Sequence, residues 1–168
     1  MQIMTDNNLK TVELFSDGAC SGNPGKGGYG TILRYGEKIK EISEGFRLTT
    51  NNRMEILGVL KGFEALNQPC NVIVTSDSKY VIDALDKGWV YGWKKKGWTL
   101  ASKKKAQNID LWERLLKEIS KHNVTYNWIK GHAGHPENER CDALAVGAYL
   151  GENLSVDEEY EREKGNAV

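Results

Sequence analysis

Four acidic residues occupy positions where side-chain oxygens could converge. Asp17 ends an alternating apolar–polar run, Phe15-Ser16-Asp17-Gly18, and Asp77 ends a second run, Val74-Thr75-Ser76-Asp77. Glu55 lies in the first turn of a helical pattern, and Asp142 lies on another, after the glycine-containing loop 131–136. Carboxylates gathered in one cleft repel one another, and a cation makes the gathering tolerable. Oxygen donors without a His–Cys cluster favour a hard cation, Mg²⁺ or Mn²⁺. Two such ions roughly 3.5–4 Å apart are a standard arrangement for hydrolysing a phosphodiester, one helping to make the attacking hydroxide and the other stabilising the leaving oxygen.

Each carboxylate also has a plain structural reading. Asp17-Gly18 is ordinary turn chemistry. Asp77 would serve as a helix cap. Asn52 and Glu55 fit a capping box, and Asp142 fits a solvated helix surface. What favours chemistry is their joint placement, since the expected topology puts all four at one end of one sheet.

The elements that must position them follow from periodicity. Residues Thr11–Asp17 alternate as a half-buried strand, a turn-rich segment covers Gly18–Gly28, and Gly28–Tyr35 with Ile39–Phe46 read as a hairpin turning at Gly36. Residues Asn52–Asn67 carry apolar positions at helical spacing. The run Val72-Ile73-Val74 suits a strand buried on both faces, and Val124–Ile129 a fifth strand. Helices are predicted over Ser78–Leu85, Ile109–Lys121 and Glu137–Leu150, the last started by Pro136. Three antiparallel strands followed by helix-linked parallel ones define an α/β fold, a mixed five-stranded sheet with helices on both faces. Strands one and four as parallel neighbours would set Asp17 beside Asp77, beyond the strands' carboxyl ends, where ligands bind in such sheets.

The chain has 168 residues, 39% hydrophobic and 27% charged, enough for one domain with a core. No stretch approaches the roughly 20 apolar residues of a membrane span. Met1–Lys10 lacks a basic-then-apolar leader, so the cytosol is the expected compartment. Three cysteines without a CxxC pair argue against a disulfide framework or structural zinc. Residues 1–150 hold 21 basic and 17 acidic residues, whereas 151–168 hold two and six. This acidic tail is expected to be poorly ordered. Between Lys87 and Lys105 lie seven lysines and no acid, interleaved with Trp89, Trp93 and Trp98, a patch suited to a polyanion. Trp112 and Trp128 are expected in the core, and His122 and His135 are expected to be structural.

Several blocks together resemble bacterial type 1 ribonuclease H. They are Asp17-Gly18-Ala19-Cys20-Ser21-Gly22-Asn23-Pro24-Gly25, Thr49-Thr50-Asn51-Asn52-Arg53-Met54-Glu55, Thr75-Ser76-Asp77-Ser78 and the stretch from Lys130 to Asp142. The segment Trp89 to Trp98 resembles that family's basic protrusion. The resemblance spans about residues 10–150 in one domain, with 151–168 outside it. It implies a monomeric endonuclease that cuts the RNA strand of an RNA–DNA hybrid, leaving 5′-phosphate and 3′-hydroxyl ends, with two Mg²⁺ ions (or Mn²⁺) on Asp17, Glu55, Asp77 and Asp142.

By the same resemblance, His132 on its mobile loop assists proton transfer or product departure. Cys20, Gly22, Asn23, Asn52 and Glu55 would face the RNA minor groove, where the 2′-hydroxyl marks RNA. Thr50, Asn51 and Asn108 would hold a DNA phosphate, Tyr80 and Trp89 would line the DNA groove, and Lys94, Lys95 and Lys96 would attract phosphates. Cys20 has no paired base and is not a nucleophile candidate. Two positions depart from the family pattern. Leu48 stands where an Arg is frequent, and Lys79 where a neutral side chain is common. Two other readings stay open at this point: a DNA-acting nuclease of the same fold, and a hybrid-binding module without catalysis.

Overall fold

The computed structural model describes residues 8–166, so most of Met1–Lys10 and positions 167–168 lie outside the described residues. Five strands, β1 (Lys10–Cys20), β2 (Gly25–Tyr35), β3 (Lys38–Thr49), β4 (Cys70–Ser76) and β5 (Asn123–Trp128), form one sheet in the order β3-β2-β1-β4-β5. The pairs β1–β2 and β2–β3 are antiparallel, and β1–β4 and β4–β5 are parallel. The mixed sheet expected from the sequence is therefore present, with β1 at its centre. Among the described residues, six helices accompany it: α1 (Asn51–Glu64), α2 (Lys79–Asp86), α3 (Trp89–Lys95), α4 (Ile109–Ile119), α5 (Pro136–Leu150) and α6 (Glu158–Asn166).

The strand alternation sorts side chains onto two faces. Val12 and Leu14 of β1 join Val72 and Val74 of β4 in the main core beneath α1 and α4, where Met54, Phe63 and Trp112 are fully buried. Phe15 points to the other face, with Ile32 and Cys141 under α5. That second layer is close-set, because a Cβ on Gly30 would lie 2.2 Å from the Cys141 carbonyl oxygen. Helix α5 packs on β1, β2 and β3. Ile73 of β4 thus stays 36% exposed, and the expectation of a strand buried on both faces holds for Val72 and Val74 but not for Ile73.

The Lys-rich segment after Gly88, to which the sequence assigned no element, begins as helix α3. Two further expectations are corrected. Trp128 is 43% exposed at the end of β5 rather than in the core, whereas Trp112 is fully buried as expected. The acidic tail is docked. The Ser155 N–H donates to the Gly45 carbonyl at 2.8 Å and the Arg47 N–H to the Ser155 carbonyl at 3.0 Å, which adds a bridge to the edge strand β3.

The physical reason for docking is a buried cation. Arg53, only 2% exposed in the first turns of α1, donates from Nε to Asp157 Oδ2 at 2.7 Å and from Nη2 to Asp157 Oδ1 at 3.0 Å. The same guanidinium donates to both oxygens of Asp110, at 2.9 and 2.7 Å. Thr49 donates to Asp157 Oδ2 at 2.7 Å. One planar fork thereby ties the starts of α1 and α4 to the tail, a geometry that suits arginine and not lysine. Removing one partner of a buried ion pair leaves an uncompensated charge, at a cost of roughly 3–5 kcal/mol. Asp157→Ala is accordingly expected to lose about 3 kcal/mol, or a drop of roughly 6–12 °C in Tm. Thermal or urea unfolding checks it, and a decrease under about 1 kcal/mol would mean that Asp110 alone satisfies Arg53.

Candidate active site

The parallel register of β1 with β4 runs to Ser16↔Ser76, and the next residues on the two strands are Asp17 and Asp77. Asp17 does not end its strand, as the sequence pattern suggests. β1 continues to Cys20 while paired with β2, with Asp17 opposite Gly30. The parallel partner ends there, which leaves the Asp17 side chain at the mouth of the sheet. Asp77 follows β4 directly and is half-buried. Its backbone carbonyl accepts from Trp128 Nε1 at 3.0 Å, so the exposed tryptophan braces the end of β4.

Glu55 arrives from α1. Thr50, extended at φ −122° and ψ 160°, caps that helix by accepting from the Arg53 N–H at 3.2 Å. Thr50, not Asn52, is therefore the cap, and Glu55 is free to turn toward β1, where the Gly18 N–H donates to it. A Cβ on Gly18 would sit 2.6 Å from the Glu55 nitrogen, so only glycine admits this approach. Ser78 caps α2 by accepting from the Val81 N–H at 3.2 Å, which excludes the capping role for Asp77.

Asp17, Glu55 and Asp77 each offer a carboxylate oxygen, and these oxygens lie within 4.8 Å of one another. Asp142 on α5 is half-buried and outside this close group, although its charge still acts on Asp17. Burial pushes the Asp17 carboxyl well above its ordinary range, and the charges of Glu55 and Asp77 push it further. Burial likewise raises Glu55, with Asp77 adding to it, while hydrogen bonds from Asp17, Gly18 and Ser78 pull the other way. The charged neighbours that raise these two groups are all acidic. An all-carboxylate donor set in such a field fits a divalent cation of the hard, oxygen-loving kind.

The other candidates fall around this centre. His132 is exposed in the loop between β5 and α5, in the left-handed region at φ 55°. Asn23 Oδ1 accepts from the Asn51 N–H at 3.2 Å, which fastens the β1–β2 turn to the start of α1. Gly22 and Asn52 are exposed. The Cys20 thiol points to the Thr49 carbonyl at 3.7 Å, and burial pushes it up to about 11, so it stays protonated at neutral pH. The Tyr80 hydroxyl accepts from Asn108 Nδ2 and from Trp112 Nε1, each at 3.3 Å.

Trp89 is 48% exposed beneath the Lys87 ammonium, 5.3 Å from its ring centroid. Lys94, Lys95 and Lys96 are exposed at the end of α3. Trp93 and Trp98 pack inward against the core and anchor that basic arm instead of facing outward with Trp89. Lys79 lies 5.6 Å from the Trp128 ring centroid. Of the structural histidines, His122 Nδ1 accepts from the Cys70 N–H at 3.0 Å, and His135 precedes Pro136 at the start of α5.

A cleft of about 740 Å³ joins Asn23, Thr50, Asn52 and Asn108 to Lys105. Helix α6 also lines it, through Tyr160, Glu163 and Lys164, which sequence reasoning did not include among the site residues. Tyr160 and Lys164 stand four apart, a helical spacing that was readable in the sequence.

A central antiparallel-then-parallel sheet with a carboxylate cluster at its crossover defines the class of carboxylate-dependent nucleases built on this fold. The chain belongs to the ribonuclease H family: the RNase H family model matches residues 9–149, and the curated relatives carry the same name. It is 54% identical over 157 residues to a ribonuclease H of Desulforamulus reducens, covering 94% of this chain and 99% of that one. It is 50% identical to one of Aeromonas hydrophila subsp. hydrophila, covering 91% and 99%. Among solved structures it superposes on LC9-RNase H1, a type 1 RNase H with the type 2 active-site motif, with a TM-score of 0.78, 30% identity and coverage of 90% and 77%.

Because Asp17 and Glu55 hold protons more tightly when folded than when unfolded, the metal-free fold binds more protons than the unfolded chain above the ordinary carboxylate range. Its stability then falls as pH rises. Asp17→Asn relieves one of the crowded charges while keeping an acceptor for the Gly18 N–H, which donates to Asp17 Oδ1 at 3.0 Å. In chelator, this variant is expected to be about 1–2 kcal/mol more stable than the native chain at pH 8, and the gap should narrow toward pH 5. Thermal melts in chelator at both pH values check this; equal Tm values at pH 8 would place the carboxylates in good solvation. Added Mg²⁺ should raise Tm more for the native chain than for the variant.

Proposed function

We propose that this chain is an endonuclease that hydrolyses the RNA strand of RNA–DNA hybrids, leaving 5′-phosphate and 3′-hydroxyl ends, with two Mg²⁺ ions held by Asp17, Glu55, Asp77 and Asp142. The observation that carries the reading is the triad of carboxylate oxygens within 4.8 Å at the crossover of a ribonuclease H sheet. When bound, a pair of divalent ions activates water and steadies the leaving oxygen of an in-line displacement.

The chain's own residues do the rest. Gly18 and the Thr50 cap fix Glu55 against β1 before any ligand arrives. His132, on an exposed loop beside the β5 end, is placed to pass a proton to solvent as product departs. Cys20, Gly22, Asn23 and Asn52 present small side chains, backbone and amides to the RNA minor groove, where a 2′-hydroxyl donates and accepts. Thr50, Asn51 and Asn108 offer hydrogen bonds to a DNA phosphate. Tyr80 and the flat, exposed face of Trp89 receive deoxyribose where a 2′-hydroxyl would clash. Lys94, Lys95 and Lys96 add charge to that side.

All these residues fall within 1–150, which is read as the nuclease unit, with 151–168 as an accessory to it. The site is assembled from one chain, as suits a monomer. The cysteines at 20, 70 and 141 are free thiols, as suits the cytoplasm, and no described helix is long and apolar enough to cross a membrane.

Cleavage of matched hybrid, duplex DNA and duplex RNA in Mg²⁺ tests the reading. RNA-strand cleavage of the hybrid alone is expected. Cleavage of duplex DNA would move the chain to the DNA-acting nucleases of this fold, and binding without cleavage would make it a hybrid-binding module. Asp17→Asn should lose turnover while binding hybrid. Replacing Lys94, Lys95 and Lys96 with Ala should weaken hybrid binding and flatten its salt dependence by about 0.9 for each phosphate no longer neutralised. An unchanged salt slope would return these lysines to inert surface.

A further inference from the structure

The cleft of about 740 Å³ beside the start of α1 has an unequal supply of positive charge. Arg47, three residues before Thr50, is committed to Glu161, donating from Nε at 2.9 Å and from Nη2 at 2.8 Å. Leu48 carries no charge. Arg53 is committed to Asp110 and Asp157. The cations that line the cleft are Lys105 and Lys164, set against one carboxylate, Glu163.

Lys164 has no ion-pair partner among the described residues, and its ammonium stands 5.8 Å from the centroid of the Tyr160 ring, which also lines the cleft. A cation held over an aromatic face keeps its charge while its direction is restricted. The Arg47–Glu161 pair orients the helix that carries both Tyr160 and Lys164, so one ion pair withdraws a cation from the cleft and positions another at its wall. Across the cleft lie neutral hydrogen-bonding groups, Thr50 and Asn108 among them. A net positive opening lined with hydroxyl and amide groups suits a phosphodiester oxygen rather than a neutral ligand.

We propose that α6 completes the nucleic-acid site: Lys164, steered by Tyr160, works with Lys105 to bind a backbone phosphate seated between Thr50 and Asn108. The proposal rests on the hybrid-nuclease reading, which it deepens by giving the tail helix a part in substrate binding.

The test uses the full chain and a short RNA–DNA hybrid. Lys164→Ala should weaken hybrid binding about fivefold at low salt and reduce the salt slope by about 0.9, the amount for one phosphate no longer neutralised. Its defect in cleavage should fall on KM, its Tm should stay native, and Lys164→Arg should restore binding. Lys117→Ala, on an exposed position of α4, controls for a general reduction of charge. A scan of single methylphosphonates along each strand then locates the phosphate. One position should weaken the native chain more than it weakens Lys164→Ala, and the strand carrying it identifies which backbone occupies the cleft. An unaltered salt slope in Lys164→Ala, a tighter complex, or identical scans for the two proteins would overturn the proposal. The outcomes separate cleanly. If the native chain cuts hybrid RNA and Lys164→Ala matches it, only the role of α6 falls. If the native chain leaves hybrid uncut, the hybrid-nuclease reading falls on that assay alone.

Discussion

Like charges held close together in a poorly hydrated place set the terms for the rest of this molecule. Asp17, Glu55 and Asp77 bring oxygens within 4.8 Å, two of the three side chains are more than nine-tenths buried, and their charged neighbours are acidic. Apart from the hydrogen bond between Asp17 and Glu55, these charges oppose the gathering; it is imposed by the scaffold. The parallel register of β1 and β4 delivers two of them, and α1, pressed onto Gly18, delivers the third. The repulsion is local and the support is spread over the sheet, the Thr50 cap, the Trp128 brace and the Arg53 fork. A divalent ion converts the same repulsion into a preorganised binding site.

The sheet and the carboxylate positions were legible in the sequence because they rest on short-range rules. Alternation marked β1, helical spacing marked α1, and two acidic residues followed two strand patterns. What was not legible depends on interactions made over long separations. Nothing local to Arg53 tells that Asp157 lies 104 residues away in sequence but 2.7 Å away in space. The tail was expected to be poorly ordered for that reason: its composition is acidic, and its order comes from distant partners, the buried Arg53, Arg47 and the edge of β3. Trp128 departs from expectation for the opposite reason. A large apolar side chain predicts burial on average, yet this one uses its indole N–H to hold the end of β4 and leaves its face exposed. The continuous apolar run at Val72-Ile73-Val74 misled because α5 packs on the first three strands and leaves Ile73, on the other face of β4, partly in solvent.

The surface around the carboxylates is divided in kind. On the side of the β1–β2 turn it is small, polar and rich in backbone, with Asn23 bonded to the Asn51 N–H so that the loop and helix move together. On the α3 side it is cationic and aromatic, with Trp93 packed against Trp112 at 6.3 Å between centroids while the neighbouring lysines stay in solvent. The first surface suits reading of groove shape and sugar hydroxyls, and the second suits attraction of a phosphate backbone. An enzyme that distinguishes two strands of one duplex needs such asymmetry, and here it is built into which elements flank the central strand.

The Arg53–Asp157 pair also bears on how the molecule comes into being. A chain made at roughly 5–20 residues per second exposes Arg53 some 5–20 s before its distant carboxylate partner is synthesised. During that interval Arg53 has Asp110 as its carboxylate partner once that residue emerges. The full set of bonds to the buried guanidinium therefore closes only once the segment carrying Asp157 has been made, which ties the last residues of the sheet-edge tail to the start of α1.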